Sequence, residues 1–327
     1  MRAVWPHRFI IKLPIDGGVS ILGQIIMVFF DYMNVPNFLA YLNQRFPVVN
    51  MALFAVLFLT VYSVAGFFWP TSPTHFGWRE VLGMVAVISF FFRLRVFDEI
   101  KDYALDAVNH PDRVLQSGRV NLRQLLTVSL AGAVVELTWS VIMGLPTLVC
   151  WGLAVAYSLL MRYEFFVGHY LKKRLLLYAL THMLIMPLVI WWIWSAYAPT
   201  YPSQPLLLLA ALSLLGGFSF EIARKIHAPN AERDGIDSYS KSMGYVPAIV
   251  TVLLVLLAGV GVQGYLLRRL DASGFPFVII GLLYLLTVGV YLVSLTRPGG
   301  KTLKLAELLV SLGMLVSYVS IILVVNF

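Results

Sequence analysis

The sequence predicts an all-α integral membrane protein, with about nine transmembrane helices packed as a bundle around a central cavity. Of its 327 residues, 60% are hydrophobic and only 12% are charged, whereas a soluble domain carries about 25% charged residues. Nine apolar stretches reach or approach the roughly 20 residues that a helix needs to cross a bilayer. Lys and Arg concentrate in every second connection, as expected for loops on the cytoplasmic side of a membrane.

The apolar stretches are separated by short polar or Pro/Gly-rich breaks. Their length and the lack of polar alternation favour helices over barrel strands. They cover residues 51–69, 79–97, 122–144, 146–161, 173–196, 205–224, 245–265, 275–295 and 304–326. Two long connections, about 98–121 and 225–244, follow the second and the sixth stretch. This spacing predicts two four-helix repeats plus one further helix.

The basic residues predict the orientation in the membrane. With strict alternation over nine helices, 21 of the 24 Lys and Arg residues fall on one side. The positive-inside rule then places the N-terminus in the cytoplasm and the C-terminus outside. The same loops account for the net charge of +8, so we expect no nucleic-acid partner.

The first part of the chain differs from the rest. Residues 1–48 combine basic residues with one apolar run, 19–30, that is short for a membrane span. No small-residue cleavage site follows this run, so we expect a segment that lies on the membrane surface rather than a cleaved signal. Residues 49–327 then form the transmembrane domain.

Four acidic residues directly follow the second apolar stretch. Asp98, Asp102 and Asp106 are four residues apart, which places them on one face of a helix, and Glu99 joins them. Like charges at this spacing repel unless a cation binds between them. Carboxylate oxygens suit Mg²⁺, with Mn²⁺ as a substitute, and Mg²⁺ typically bridges to substrate phosphates. The alternative is a solvated helix end in which Lys101 and nearby arginines pair with the acids.

Basic residues accompany both long connections. Arg113 and Arg119 lie on a Pro/Gly turn that returns toward the acidic helix, and arginine binds phosphate with a two-pronged geometry. In the second connection, Glu221 has Arg224 and Lys225 three and four residues further on. A structural ion pair explains this second group nearly as well as a binding site does.

These motifs resemble those of the UbiA superfamily of intramembrane prenyltransferases. The family has nine helices and two Asp-rich loops, and its first motif, Asn-Asp-x-x-Asp-x-x-x-Asp, resembles Asp98-Glu99-x-x-Asp102-x-x-x-Asp106. The family segment Arg-Pro-x-Arg-Pro-Leu-x-x-Gly is similar to residues 110–118. The second motif departs from the family, because Arg224 and Lys225 stand where another Asp is expected. The end of the fourth stretch, with Arg162, is similar to a family segment near the diphosphate.

The resemblance implies transfer of a prenyl group from a prenyl diphosphate to an aromatic or other lipophilic acceptor, among membrane lipids. It implies Mg²⁺ held by Asp98, Glu99, Asp102, Asp106 and Glu221. The catalytic group is then Asp98, Asp102, Asp106 and Lys225. The diphosphate contacts are Lys101, Arg113, Arg119, Arg162 and Arg224. Two alternatives stay open: a non-catalytic or transport-type membrane protein with this fold, and the same fold with another reaction such as cyclisation.

Three further residues are weaker candidates. Glu164 and His169 lie in the connection after the fourth stretch, where they could contact an acceptor. His182 is a polar residue inside the fifth stretch, and an intramembrane ionisable group often marks a functional site. A hydrogen bond to a neighbouring carbonyl explains His182 equally well.

Overall fold

The fold is entirely helical over the residues that the computed structural model describes, which are 34–70, 76–232 and 237–327. The apolar run at 19–30 lies outside these residues. The helices of the first half are α1 (Val35–Arg45), α2 (Val48–Phe68), α3 (Trp78–Asn109), α4 (Leu122–Met143), α5 (Leu145–Arg162), α6 (Gly168–Lys172), α7 (Leu175–Met183) and α8 (Ile185–Trp194). The second half contains α9 (Gln204–Ala223), α10 (Tyr239–Met243), α11 (Tyr245–Arg269), α12 (Gly274–Thr296) and α13 (Gly300–Asn326). The predicted all-α class is confirmed.

Local sequence signals set several helix ends. Asn121 caps α4, because its Oδ1 accepts from the Gln124 backbone N–H at 2.9 Å and the Gln124 side chain accepts in return from the Asn121 N–H. Gly144 separates α4 from α5 with φ of 113°, a conformation that favours glycine. The predicted fifth stretch is two helices, α7 and α8. Pro187, in the first turn of α8, offers no N–H to the Met183 carbonyl and so breaks the ladder.

Eight helical segments among the described residues are long and apolar enough to cross a membrane, with α7 and α8 together counted as one. The predicted second stretch is not one of them. Helix α3 has 32 residues, about 48 Å, but Arg93 and Arg95 interrupt its apolar part. It continues without a break to Asn109, so the acidic motif lies on the same helix as the apolar part.

The bundle forms a closed ring. Successive long helices pack against one another from α2 to α13, and α13 packs in turn against α2. Thr60 of α2 donates its hydroxyl to the Tyr318 carbonyl of α13 at 3.3 Å, and Asn326 donates to Ser63 Oγ at 3.1 Å. Aromatic contacts fill the first half, including stacked Phe54 and Phe91 rings with centroids 3.7 Å apart.

Two features position the candidate site. Helices α3, α5 and α9 all end on the same side of the bundle if the long helices alternate in direction, and the long connections start there. An apolar cavity lies between α9, α11, α12 and α13, and one of its lining residues, Ser219, is two residues from Glu221.

Candidate functional site

The acidic motif does not act as one group. Asp98 has a side chain that is 51% exposed, whereas that of Glu99 is only 1% exposed. Among the described residues, no three acidic, His or Cys side chains are arranged so that they alone could hold a metal ion. The predicted four-carboxylate cluster is therefore divided between open and ion-paired positions.

Glu99 is held by two arginines. Its Oε1 lies 2.7 Å from Arg45 Nε and 2.8 Å from Arg95 Nη2. Burial without these partners would strongly disfavour the carboxylate. Glu99 thus fastens α1 to α3, and its carboxylate oxygen is already neutralised by protein groups.

Asp106 is also paired with arginine. Arg113 Nη1 lies 2.6 Å from its Oδ2, and Arg45 Nη2 lies 3.6 Å from the same atom. The turn after α3 therefore does return Arg113 to the acidic helix. Arg119 does not follow it: this residue is exposed, and its Nε donates to Ser117 Oγ at 3.3 Å.

Among the described residues, no arginine lies within salt-bridge distance of Asp98 or Asp102. Lys101 Nζ lies 3.5 Å from Asp98 Oδ1 and donates to Tyr178 Oη at 2.9 Å. Burial raises the pKa of Asp102, and repulsion from Asp98 and Asp106 raises it further, against the attraction of Lys101. Burial opposes protonation of Lys101, but Asp98 and Tyr178 outweigh it and raise the pKa of that ammonium. These two carboxylates are the crowded, under-neutralised part of the motif.

The second acidic position forms a compact ion-pair group. Lys225 Nζ lies 2.8 Å from Glu221 Oε1, and the Arg224 guanidinium donates from Nε to Oε2 at 2.6 Å. Both oxygens of Glu221 thus have a cation on them. Arg224 and Lys225 therefore form the ion pairs that the structural alternative predicted. Because both Glu221 oxygens are already paired with a cation, Glu221 is a weaker candidate for a metal ligand.

Arg162 ends α5 beside the acidic helix. Its guanidinium lies over the Phe97 ring at 5.1 Å and near the Tyr163 ring at 5.6 Å. No carboxylate lies within salt-bridge distance of it among the described residues. This half-buried cation is available for an anionic ligand.

Three important residues were missed by sequence reasoning. Glu136 of α4 is fully buried and pairs with Arg93, whose Nη2 lies 2.6 Å from Glu136 Oε2. A lone acid inside an apolar span is a detectable signal, because a charge there needs a partner. Arg45 and Tyr178 carry no such signal, since only the fold brings them to the acidic helix.

Glu164 and His182 lie close to the same end of the bundle as the acidic motif, and His169 lies on the neighbouring helix α6. His182 interacts electrostatically with Lys101, Asp98 and Glu164. His169 is exposed on α6.

Comparison with known proteins agrees with this arrangement. Residues 56–312 match the model of the UbiA prenyltransferase family. The fold, with its acidic helix end and basic surroundings, is that of an intramembrane prenyltransferase-type protein. The chain belongs to the UbiA prenyltransferase family and is an integral membrane protein.

Solved structures share the fold at low sequence identity. A structure described as digeranylgeranylglyceryl phosphate synthase is 16% identical, with a TM-score of 0.63, and the match covers 89% of this chain and 99% of that one. A UbiA homologue from Aeropyrum pernix K1 is 17% identical, with a TM-score of 0.58 and coverage of 80% and 95%. A UbiA homologue from Archaeoglobus fulgidus, solved with DMAPP and Mg²⁺, is 14% identical, with a TM-score of 0.52 and coverage of 86% and 98%. No curated protein matches the sequence significantly.

Proposed function

We propose that the protein transfers a prenyl group from a prenyl diphosphate to an aromatic or other lipophilic acceptor inside the membrane, with Mg²⁺ as cofactor. The observation that carries the proposal is the division of the acidic motif. Glu99 and Asp106 are neutralised by arginines, while Asp98 and Asp102 remain without one. The fold thus keeps two carboxylates open at the end of α3.

These two residues fit a magnesium ion. Their oxygens are the donors that Mg²⁺ prefers, and Mg²⁺ is usually held by one or two carboxylates while water and substrate phosphates complete the coordination. The raised pKa of Asp102 has like-charge crowding among its causes, and a cation between Asp98 and Asp102 would relieve it. A site completed by the substrate also agrees with the lack of a preformed three-ligand group among the described residues.

Basic side chains near this site would bind the diphosphate. Arg162 is the strongest candidate, because it is half-buried and has no carboxylate partner in the described part of the chain. Lys101 lies next to Asp98 and is held in place by Tyr178. Arg113, Arg224 and Lys225 can share their charge with the diphosphate while they remain on Asp106 and Glu221. Arg119 would reach it only if its exposed side chain moved.

The chain's own groups would then drive ionisation of the substrate. Arg162, Lys101 and Lys225 stabilise the negative charge that develops on the leaving diphosphate, where a water-poor site strengthens the effect. Bound Mg²⁺ supplies Lewis-acid stabilisation of the same charge. The apolar helices shield the allylic carbon from water until the acceptor reacts.

A relative supports the substrate class. The Archaeoglobus fulgidus homologue was solved with DMAPP and Mg²⁺, and DMAPP is a prenyl diphosphate. We therefore propose the same ligand class here, with the diphosphate at the cytoplasmic end of α3 and the C-terminus on the outer side of the membrane.

The test is binding and turnover of radiolabelled geranyl diphosphate by the purified protein, with and without Mg²⁺. The proposal expects Mg²⁺-dependent binding, and transfer of label to a lipophilic product when a membrane lipid extract is added. Binding without any product would favour the non-catalytic alternative. A labelled cyclic hydrocarbon formed without an acceptor would indicate cyclisation instead.

A further inference from the structure

The connection from α5 to α6 contains an unusual turn, Glu164–Phe166. Its three residues have φ of 49°, 54° and 59° in succession, and none is glycine. Side-chain-bearing residues avoid this left-handed region, and three in a row form a strained turn that its surroundings must hold. Gly168 helps to hold it, because a Cβ there would lie 2.0 Å from Glu164 Oε2. Strain of this kind concentrates at ligand sites.

Two buried polar atoms close to this turn have no hydrogen-bond partner. They are Glu164 Oε1 and His182 Nε2. The other oxygen of Glu164 lies 3.1 Å from Lys172 Nζ. Buried polar groups are nearly always paired, so each unpaired one needs an explanation.

The hydrogen bonding of His182 fixes which nitrogen is free. Its Nδ1 lies 2.9 Å from the Tyr178 carbonyl oxygen, which can only accept. Nδ1 therefore carries the proton, and in the neutral imidazole Nε2 keeps its lone pair. His182 is thus oriented as a proton acceptor without a donor.

Aromatic rings enclose the imidazole. Tyr178 stacks on it with centroids 4.0 Å apart, and Phe165 of the strained turn meets it edge-on at 5.9 Å. Phe165 also contacts Tyr157 at 5.4 Å. The turn therefore places one aromatic ring against His182.

The imidazole is next to the proposed diphosphate position. Tyr178 Oη accepts from Lys101 Nζ, which also lies near Asp98. His182 itself is about 10 Å along the axis from the start of α7, deeper in the membrane than Lys101's partner Tyr178. His182 is therefore connected through Tyr178 to Lys101 and the proposed diphosphate site.

We propose that the turn Glu164–Phe166 is a lid over His182, and that on opening it admits a hydroxyl-bearing acceptor whose proton passes to His182 Nε2. This rests on the proposed function. The carbon–oxygen bond to the diphosphate breaks, and its electron pair leaves with the diphosphate. The acceptor's hydroxyl oxygen forms the new bond to that carbon, and its O–H bond breaks with the proton going to Nε2.

The first experiment replaces His182 by Ala in the full-length protein in lipid nanodiscs. Radiolabelled geranyl diphosphate and Mg²⁺ are supplied, with 4-hydroxybenzoate and a membrane lipid extract as the two acceptor sources. We expect transfer to fall at least about 100-fold, the scale of general-base catalysis, and added imidazole to restore part of it. Mg²⁺-dependent binding of geranyl diphosphate should be unchanged. The matched control is His169→Ala, because His169 is an exposed histidine on the neighbouring helix.

The second experiment tests the lid through the product ratio. Phe165→Ala should let water reach the allylic cation, so prenyl alcohol should increase relative to transfer product. Phe166→Ala is the control, because this residue belongs to the same turn but is 77% exposed. Its product ratio should equal that of the unmodified protein.

The outcomes separate the proposals. Wild-type transfer in His182→Ala, or lost transfer that imidazole does not restore, overturns the proton-acceptor role. An unchanged product ratio in Phe165→Ala overturns the lid. Binding of geranyl diphosphate by the unmodified protein without transfer to either acceptor source counts against the proposed transferase function and not against His182 alone. Failure of the unmodified protein to bind geranyl diphosphate with Mg²⁺ refutes the proposed function itself.

Discussion

Breaking the buried pair of Arg93 and Glu136 by removing one partner should destabilise the protein strongly, whereas removing both partners should cost less. The guanidinium donates to both Glu136 oxygens, at 2.6 and 3.3 Å, and to Ser158 Oγ at 3.2 Å. Trp151 Nε1 donates to Glu136 Oε2 at 2.9 Å. The two charged side chains are 7% and 0% exposed, so removing one partner strands the other charge away from water.

The expected magnitudes follow from this geometry. Glu136→Leu strands the arginine, which costs about 3–5 kcal/mol of the free energy of unfolding. Arg93→Met strands the carboxylate and should cost a similar amount. In the double variant no charge remains, and the loss reduces to the unpaired Trp151 N–H, about 1–3 kcal/mol. The double variant should therefore be more stable than either single variant.

The assay is unfolding in mixed detergent micelles, with the free energy of unfolding taken from titration with a denaturing detergent. Thr138→Val is the control, because Thr138 is on the exposed face of the same helix and its hydroxyl donates to the Val134 carbonyl of that helix. If the costs of the single variants add in the double variant, the two residues do not act as a pair and the argument is wrong.

Three further predictions concern the site, and a fourth concerns the orientation in the membrane. Asp102→Ala should abolish turnover but leave the melting temperature nearly unchanged; normal turnover in a folded protein would exclude Asp102 as a metal ligand. Because burial and its acidic neighbours raise the pKa of Asp102, a proton should compete with Mg²⁺ there. Calorimetry should show Mg²⁺ affinity falling with decreasing pH from a higher pH than for an ordinary aspartate, and Asp102→Asn should remove that dependence. Lys225→Gln should lower turnover by roughly 10- to 1,000-fold if Lys225 faces the diphosphate, whereas unchanged turnover and substrate dependence would leave it a structural partner of Glu221. A reporter fused after Phe327 should be active only on the outer side of the membrane, and cytoplasmic activity would reverse the orientation.

Helix positions were predictable because hydrophobic length is a local property. The predicted stretches overlap the observed helices, since runs such as 275–295 leave the backbone no other way to pair its polar groups in lipid. The break between α7 and α8 was also detectable from Pro187. The run from Trp78 to Asn109 is different, because its charges hide the fact that a single helix continues through the motif.

The candidate site was only partly predictable, because its character depends on contacts between distant residues. The spacing of Asp98, Asp102 and Asp106 identified the motif. It could not show that Arg45, 54 residues from Glu99 in the sequence, would neutralise that residue. Nor could it place Tyr178 on Lys101. These long-range pairings decide which carboxylates are neutralised by arginine and which are not. A local sequence pattern contains no information about such pairings.

Closure of the ring by α2 and α13 has a consequence for how the protein forms. Thr60 and Tyr318, which join these helices, are 258 residues apart in the sequence. During synthesis α2 enters the membrane long before its partner exists, so one side of it faces lipid until α13 arrives. Its hydroxyl groups can turn to their own helix meanwhile, as Thr60 does with the Val56 carbonyl at 2.8 Å. The bundle therefore stays open at this seam until the last described helix is inserted.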